Sequence, residues 1–266
     1  MKPQMRFVHA LLINAGIFGA LTPGFCVAPV RAQTAASALP PVPSDAPHAS
    51  EINAFAQADK QKMPPTGAVL FTGSSSIRLW ETLTQDFSEL PVINRGFGGS
   101  WVQDSHRYAD RTIFPYKPKM IVFFGGTNDL ASGKKTPQQV LQDYKNLVAK
   151  IHAVLPNTRI VYLAISPTTL RWKNEGNVME TNYLIQRFVF ETATPAKKLN
   201  FINSHDELLN ADGKPRPEWL REDGLHLNAE GYKAWTAMVK PRIMTLAAMD
   251  GVPRLDAGAV TPALKK

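Results

Sequence analysis

Four short blocks in this 266-residue chain carry side chains able to do chemistry: Gly73-Ser74-Ser75-Ser76, Gly96-Phe97-Gly98-Gly99, Gly125-Gly126-Thr127-Asn128-Asp129 and Asp223-Gly224-Leu225-His226. A serine hydroxyl is a weak nucleophile and needs a base within hydrogen-bond reach, with a third group to orient that base. Asp223 and His226 are separated by two residues and fit on one turn. There the carboxylate holds one ring nitrogen and leaves the other for a serine. Glycine backbone and an asparagine amide supply donors for a developing oxyanion. Singly, each block has a plain structural explanation. A serine after glycine caps a helix, Asn128-Asp129 fills a turn, and Asp223 beside Glu222 is a solvated loop acid. Together they point to acyl transfer.

These blocks need a frame that brings them to one place. Short apolar runs rich in β-branched and aromatic residues occur at 68–72, 92–94, 120–124, 160–165 and 200–202. Stretches of helical spacing separate them, most clearly at 137–155, where Val140, Leu141, Tyr144, Leu147, Val148 and Ile151 form one apolar stripe. Thr136, Pro137 and Gln139 mark its start as N-cap, first-turn proline and capping-box partner. A first helix is expected over 50–61, ended by Pro64-Pro65, and a last one opens near Asn228. Continuously apolar strands alternating with helices imply a parallel sheet covered on both faces. The expected fold is α/β, a doubly wound (flavodoxin-like) three-layer sandwich of about five parallel strands over roughly 68–246. Such sheets place their chemistry beyond the carboxyl ends of the strands, where the first three blocks fall.

In their order and wording the blocks resemble the SGNH hydrolases, also called GDSL esterases and lipases, over about residues 68–235. The runs Gly73-Ser74-Ser75-Ser76-Ile77-Arg78-Leu79-Trp80 and Asn94-Arg95-Gly96-Phe97-Gly98-Gly99 resemble a branch with Gly-Ser-Ser-Ser-Ile in the first block. By this resemblance Ser75 matches the nucleophile, Asp223 and His226 the rest of the triad, and Gly99 and Asn128 the oxyanion-hole residues beside the Ser75 N–H. The resemblance implies a carboxylic-ester hydrolase that works through an acyl-enzyme with no cofactor and no metal. Two positions depart from the family pattern. Ser74 stands where an aspartate is usual, and Leu227 stands where a proline is usual. Neither change deletes a group the reaction needs. Loss of the aspartate leaves one alternative open, a non-catalytic carbohydrate- or cell-envelope-binding module on the same fold.

The remaining composition narrows the chemistry. With 44% hydrophobic and 20% charged residues, the chain suits one globular domain with a sizeable core. His48, His106, His152 and His205 form no His-x-x-x-His pair, and no Gly-rich phosphate loop is present. A net charge of +8 comes from basic residues scattered among acids, so nucleic acid is not an expected partner. The expected partner is a small-molecule or glycan ester bearing a short acyl or acetyl group. Trp101, Arg171 and Trp172 are expected to line its site, with a solvated loop charge as the alternative for Arg171.

Lys2 and Arg6 precede an apolar stretch at 7–25 and small residues around Val30-Arg31-Ala32, the layout of a secretory signal peptide. Asn14, three glycines and Pro23 interrupt that stretch, which disfavours a stable membrane anchor. The expected organisation is a signal peptide at 1–32, a flexible linker at 33–49, the catalytic domain at 50–250 and a tail at 251–266. Cleavage removes Cys26, the only cysteine, so the exported chain has no disulfide or thiolate chemistry. Protein recovered from the periplasm or medium is expected to begin near Gln33, as read by intact mass. A full-length chain held in the membrane fraction would contradict this.

Overall fold

A computed structural model describes residues 39–255, so the expected signal peptide, the first part of the linker and the end of the tail lie outside the described residues. The elements run α1 (Ala49–Gln61), β1 (Val69–Gly73), α2 (Ser75–Arg78), α3 (Leu83–Asp86), β2 (Val92–Gly96), α4 (Val102–Thr112) and β3 (Met120–Phe124). They continue with α5 (Thr127–Ala131), α6 (Pro137–Val154), β4 (Arg159–Leu163), α7 (Glu175–Thr192), β5 (Leu199–Ile202) and α8 (Ala229–Met249). All strand pairs are parallel, in the order β2-β1-β3-β4-β5. This is the doubly wound order, with its crevice where the chain switches direction between β1 and β3.

Strands β1, β3 and β4 are buried along their whole length, which is why they read as unbroken apolar runs. Successive residues point to opposite faces. Leu70, Ile121, Phe123, Ile160 and Tyr162 pack with the buried faces of α4, α6 and α7. Val69, Phe71, Val122, Phe124 and Leu163 pack on the other face with Ile77, Leu83 and the α8 residues Trp235, Val239 and Ile243. Trp80, just after α2, stacks on Trp235 at 5.0 Å between ring centroids. Such aromatic pairs contribute roughly 0.5–1.5 kcal/mol beyond their area burial. Helix α6 starts as its sequence specifies, with Thr136 Oγ1 accepting the Gln139 N–H and Gln139 Oε1 accepting the Thr136 N–H. No helix among the described residues is long and apolar enough to cross a membrane.

Two stretches differ from the sequence expectation. The latter part of the expected linker is packed, because Val42 enters a small cluster with Ile52, Phe97 and Tyr108 while the Asn53 amide bonds both polar groups of the Val42 backbone. The first residues of the expected tail are also docked, with Val252 in the core and the Leu255 N–H donating to the Glu89 carbonyl at 2.9 Å. Helix α7 begins at Glu175, directly after the segment that bears Arg171 and Trp172. Its buried face includes Thr181 and Asn182, which interrupt the apolar stripe. Asn182 spends its amide on the Ile165 N–H (2.8 Å) and carbonyl (3.1 Å), fixing the exit from β4.

The turn after β1 depends on Gly73. Its φ is +119°, and a Cβ there would stand 1.9 Å from the Phe124 carbonyl oxygen of β3. Gly73→Ala is therefore expected to lower unfolding stability by about 2 kcal/mol or more, through strain and forced separation of the strand ends. Urea denaturation measures this, and an unchanged midpoint would contradict the account.

Candidate active site

Ser75 is the first residue of α2, and its Oγ lies 2.8 Å from His226 Nε2. On the far side of the ring, His226 Nδ1 lies 2.6 Å from Asp223 Oδ2. A carboxylate only accepts, so Nδ1 carries the proton and Nε2 is left to accept the Ser75 hydroxyl. Asp223 Oδ1 also accepts the N–H groups of Leu225 (2.8 Å) and His226 (2.9 Å), which folds the turn around the carboxylate. Desolvation pushes the Asp223 carboxyl up, but the hydrogen bonds from the His226 ring and these backbone donors outweigh it and bring the pKa to about 2. Of the three adjacent serines, Ser75 is the one bonded to histidine. Ser74 Oγ is buried without a partner, and the Ser76 carbonyl accepts the Tyr232 hydroxyl at 2.8 Å.

The second block curls past this serine. The Phe97 N–H donates to the Gly73 carbonyl at 3.0 Å, and Ser100 Oγ donates to the same carbonyl at 3.2 Å. Gly99 has φ +66° and is exposed, and apart from its chain neighbours no atom lies within 4 Å of where a Cβ would stand. Its N–H has no acceptor among the described residues, and Ser75, at the helix start, has no intrahelical acceptor for its own. Asn128 donates from Nδ2 to the Ser100 carbonyl at 3.0 Å, leaving the second amide hydrogen for a ligand. The next residue, Asp129, is fully buried and accepts the Val102 N–H at 3.2 Å, tying the third block to the start of α4. Burial raises its carboxyl to about 6, against the opposing pull of that N–H and of Lys135.

The three expected lining residues fall on two loops. Trp101 follows Ser100 at the start of α4, with Lys135 Nζ 5.1 Å from its ring centroid. Arg171 reaches the third block directly, donating from Nη1 to Thr127 Oγ1 (3.1 Å) and Asn128 Oδ1 (2.9 Å). Trp172 is beside it under Lys214 Nζ, 5.0 Å from the ring centroid. The same loop is bonded to the catalytic turn, with the Leu170 N–H (2.9 Å) and Thr169 Oγ1 (3.0 Å) both donating to the Gly224 carbonyl. One positioning residue has no sequence cue. Glu51 of α1 accepts the Gly98 N–H at 3.0 Å with both carboxylate oxygens and pairs with Arg78 Nε at 3.4 Å, bracing the loop that holds Gly99.

A parallel sheet with this constellation beyond its carboxyl ends defines a hydrolase of esters. Residues 67–234 match the GDSL-like Lipase/Acylhydrolase family, and the chain belongs to that family as a carboxylic-ester hydrolase. No curated protein sequence matches it. Among solved structures it is similar to a Streptococcus pneumonia protein described as a platelet activating factor, at 18% identity and a TM-score of 0.66, covering 74% of this chain and 92% of that one. It is similar to a GDSL-like lipase from Bacteroides thetaiotaomicron at 20% identity and a TM-score of 0.60, over 73% and 98% of the two chains. A carbohydrate esterase family 3 protein from Talaromyces cellulolyticus follows at 18% identity and a TM-score of 0.56, over 68% and 98%. Likeness at these identities is a likeness of fold.

The lowered Asp223 pKa has a stability consequence with a definite sign. The contribution of the ionised Asp223 carboxylate, held by the His226 ring and two backbone N–H groups, is present above the ordinary carboxylate value of 3.8 and is lost as pH falls through about 2. The parent is therefore expected to exceed Asp223→Asn in denaturation midpoint at pH 6, with the gap closing between about pH 4 and pH 2. A gap that stays constant down to pH 2 would contradict the assignment.

Proposed function

We propose that the protein is an exported serine esterase that removes short acyl or acetyl groups from carbohydrate or lipid alcohols through an acyl-enzyme. The observation that carries this is the continuous hydrogen-bonded line from Asp223 through His226 to Ser75 Oγ, beside free donors at Gly99 and Asn128. Ser75 Oγ attacks the ester carbonyl carbon as His226 Nε2 takes its proton, and Asp223 stabilises the imidazolium. Negative charge on the carbonyl oxygen is received by the N–H groups of Ser75 and Gly99 and by Asn128 Nδ2. The imidazolium then protonates the leaving alcohol. Water, deprotonated by His226, releases the acid and restores Ser75.

An intact line of three residues favours turnover over a binding module. Family membership supports the ester substrate, and the carbohydrate esterase among the similar structures supports a carbohydrate alcohol. Export rests on the layout of residues 1–32.

Turnover of p-nitrophenyl acetate by the purified protein tests the proposal. Ser75→Ala is expected to abolish it together with labelling by a fluorophosphonate. Asn128→Ala is expected to lower kcat by about 10²- to 10³-fold with little change in KM, because its donor acts on charge that exists only in the transition state. A rise in KM alone would make Asn128 a substrate-binding residue instead, and an adduct on Ser74 or Ser76 would displace Ser75 as nucleophile.

A further inference from the structure

We infer that Arg171 recognises an ester whose alcohol part carries a fixed negative charge, a carboxylate or a phosphate, seated beside the oxyanion hole. This rests on the esterase function proposed above and specifies its substrate. Arg171 is half-buried, yet no carboxylate among the described residues pairs with it. Arg95 and Arg159, which are also withdrawn from water, are each matched by an acid at 2.5 Å, Asp59 and Asp250. Desolvation by burial lowers the pKa of the Arg171 guanidinium. A cation taken out of water without a counter-charge is costly, and a ligand that supplies the charge relieves that cost.

The geometry of the guanidinium says what form the counter-charge takes. Nη1 is committed to Thr127 Oγ1 and Asn128 Oδ1, which fixes the plane of the group. Nε and Nη2 have no acceptor among the described residues, and this free edge presents two parallel N–H donors. That fork fits two oxygens of one carboxylate or phosphate. The loop bearing Arg171 is bonded through Leu170 and Thr169 to Gly224, within the turn that carries His226. The acetyl or other short acyl group proposed above carries no charge of its own, so an anion held by Arg171 belongs to the alcohol side of the ester. Lys214, over the Trp172 ring and likewise without an acid partner among the described residues, adds positive charge to the same wall.

The test compares acetyl esters of glucose, glucuronic acid and glucose 6-phosphate, all acetylated at the same hydroxyl. The parent enzyme is expected to favour at least one charged ester over the neutral one by about tenfold or more in kcat/KM, chiefly through KM, with the preference shrinking as salt is added. Which charged ester leads identifies a carboxylate or a phosphate. Arg171→Gln is expected to bring the ratio of charged to neutral turnover close to one. Any disturbance of Asn128 affects all three esters and cancels in that ratio. Arg171→Lys should retain part of the preference, since charge survives without the fork. Equal turnover of the three esters by the parent, or an unchanged ratio in Arg171→Gln, overturns the inference and leaves Arg171 as a support for Asn128. So does turnover of p-nitrophenyl acetate with none of the sugar esters touched. If p-nitrophenyl acetate is not turned over either, the esterase function itself fails and takes the inference with it.

Discussion

The parallel register that sets Gly73 level with Gly96 on one side and Phe124 on the other is the constraint on which the site depends. Three loops leave the sheet from this one height, and each needs only a few residues to deliver its group: Ser75, Gly99 and Asn128. The strand ends also serve as acceptors for those loops. The Phe124 carbonyl takes the Ser74 N–H, and the Gly73 carbonyl takes the Phe97 N–H and the Ser100 hydroxyl. A slip of one residue between neighbouring strands would displace a loop by about 3.3 Å, more than a hydrogen bond tolerates. Donors aimed at a developing oxyanion therefore inherit their accuracy from the ladder beneath them.

The aspartate and histidine arrive by a different route, since no strand ends beside them. Their turn closes on itself through the Leu220–Leu227 bridge and the Arg221 N–H to His226 carbonyl bond. Asn228 caps α8 directly after it, accepting the Gly231 N–H while donating to the Glu218 and Leu220 carbonyls. Helix α8 then places Trp235 against Trp80, which follows the nucleophile turn, and the Tyr232 hydroxyl on the Ser76 carbonyl. Nucleophile and base thus stand on one aromatic cluster, so their 2.8 Å separation is set by packing within a single core.

Much of this was legible in the sequence for a physical reason. Strands buried on both faces must be continuously apolar, as β1, β3 and β4 are, and the blocks at Ser75 and Asn128 follow two of them directly, while Asp223 and His226 are legible as a pair from their spacing alone. What stayed hidden acts at long range or breaks a local pattern. Glu51 looks like any acid on an exposed helix face, and its bond to Gly98 spans 47 positions of sequence. Val42 is one apolar residue in a Pro-rich stretch, too little to signal docking without the partner cluster. Helix α7 buries Thr181 and Asn182, so its stripe does not read as apolar. Arg171 was visible as a charge near the site. Its lack of a counter-ion is a property of the folded surroundings alone.

The segment that follows α8 returns to the opposite end of the sheet from the chemistry. Asp250 is clasped by Arg159 at the start of β4 and by Lys198 just before β5, and the Gly251 carbonyl receives the Lys119 ammonium just ahead of β3. These are the amino ends of strands of four or five residues, roughly 13–16 Å long. An enzyme linked to a bead, an electrode or a fusion partner beyond Leu255 would therefore carry its mouth facing outward, with the length of the strands between the attachment and the substrate. Linkage through the stretch around Val42, which packs on Phe97 at the base of the glycine loop, would crowd that mouth instead.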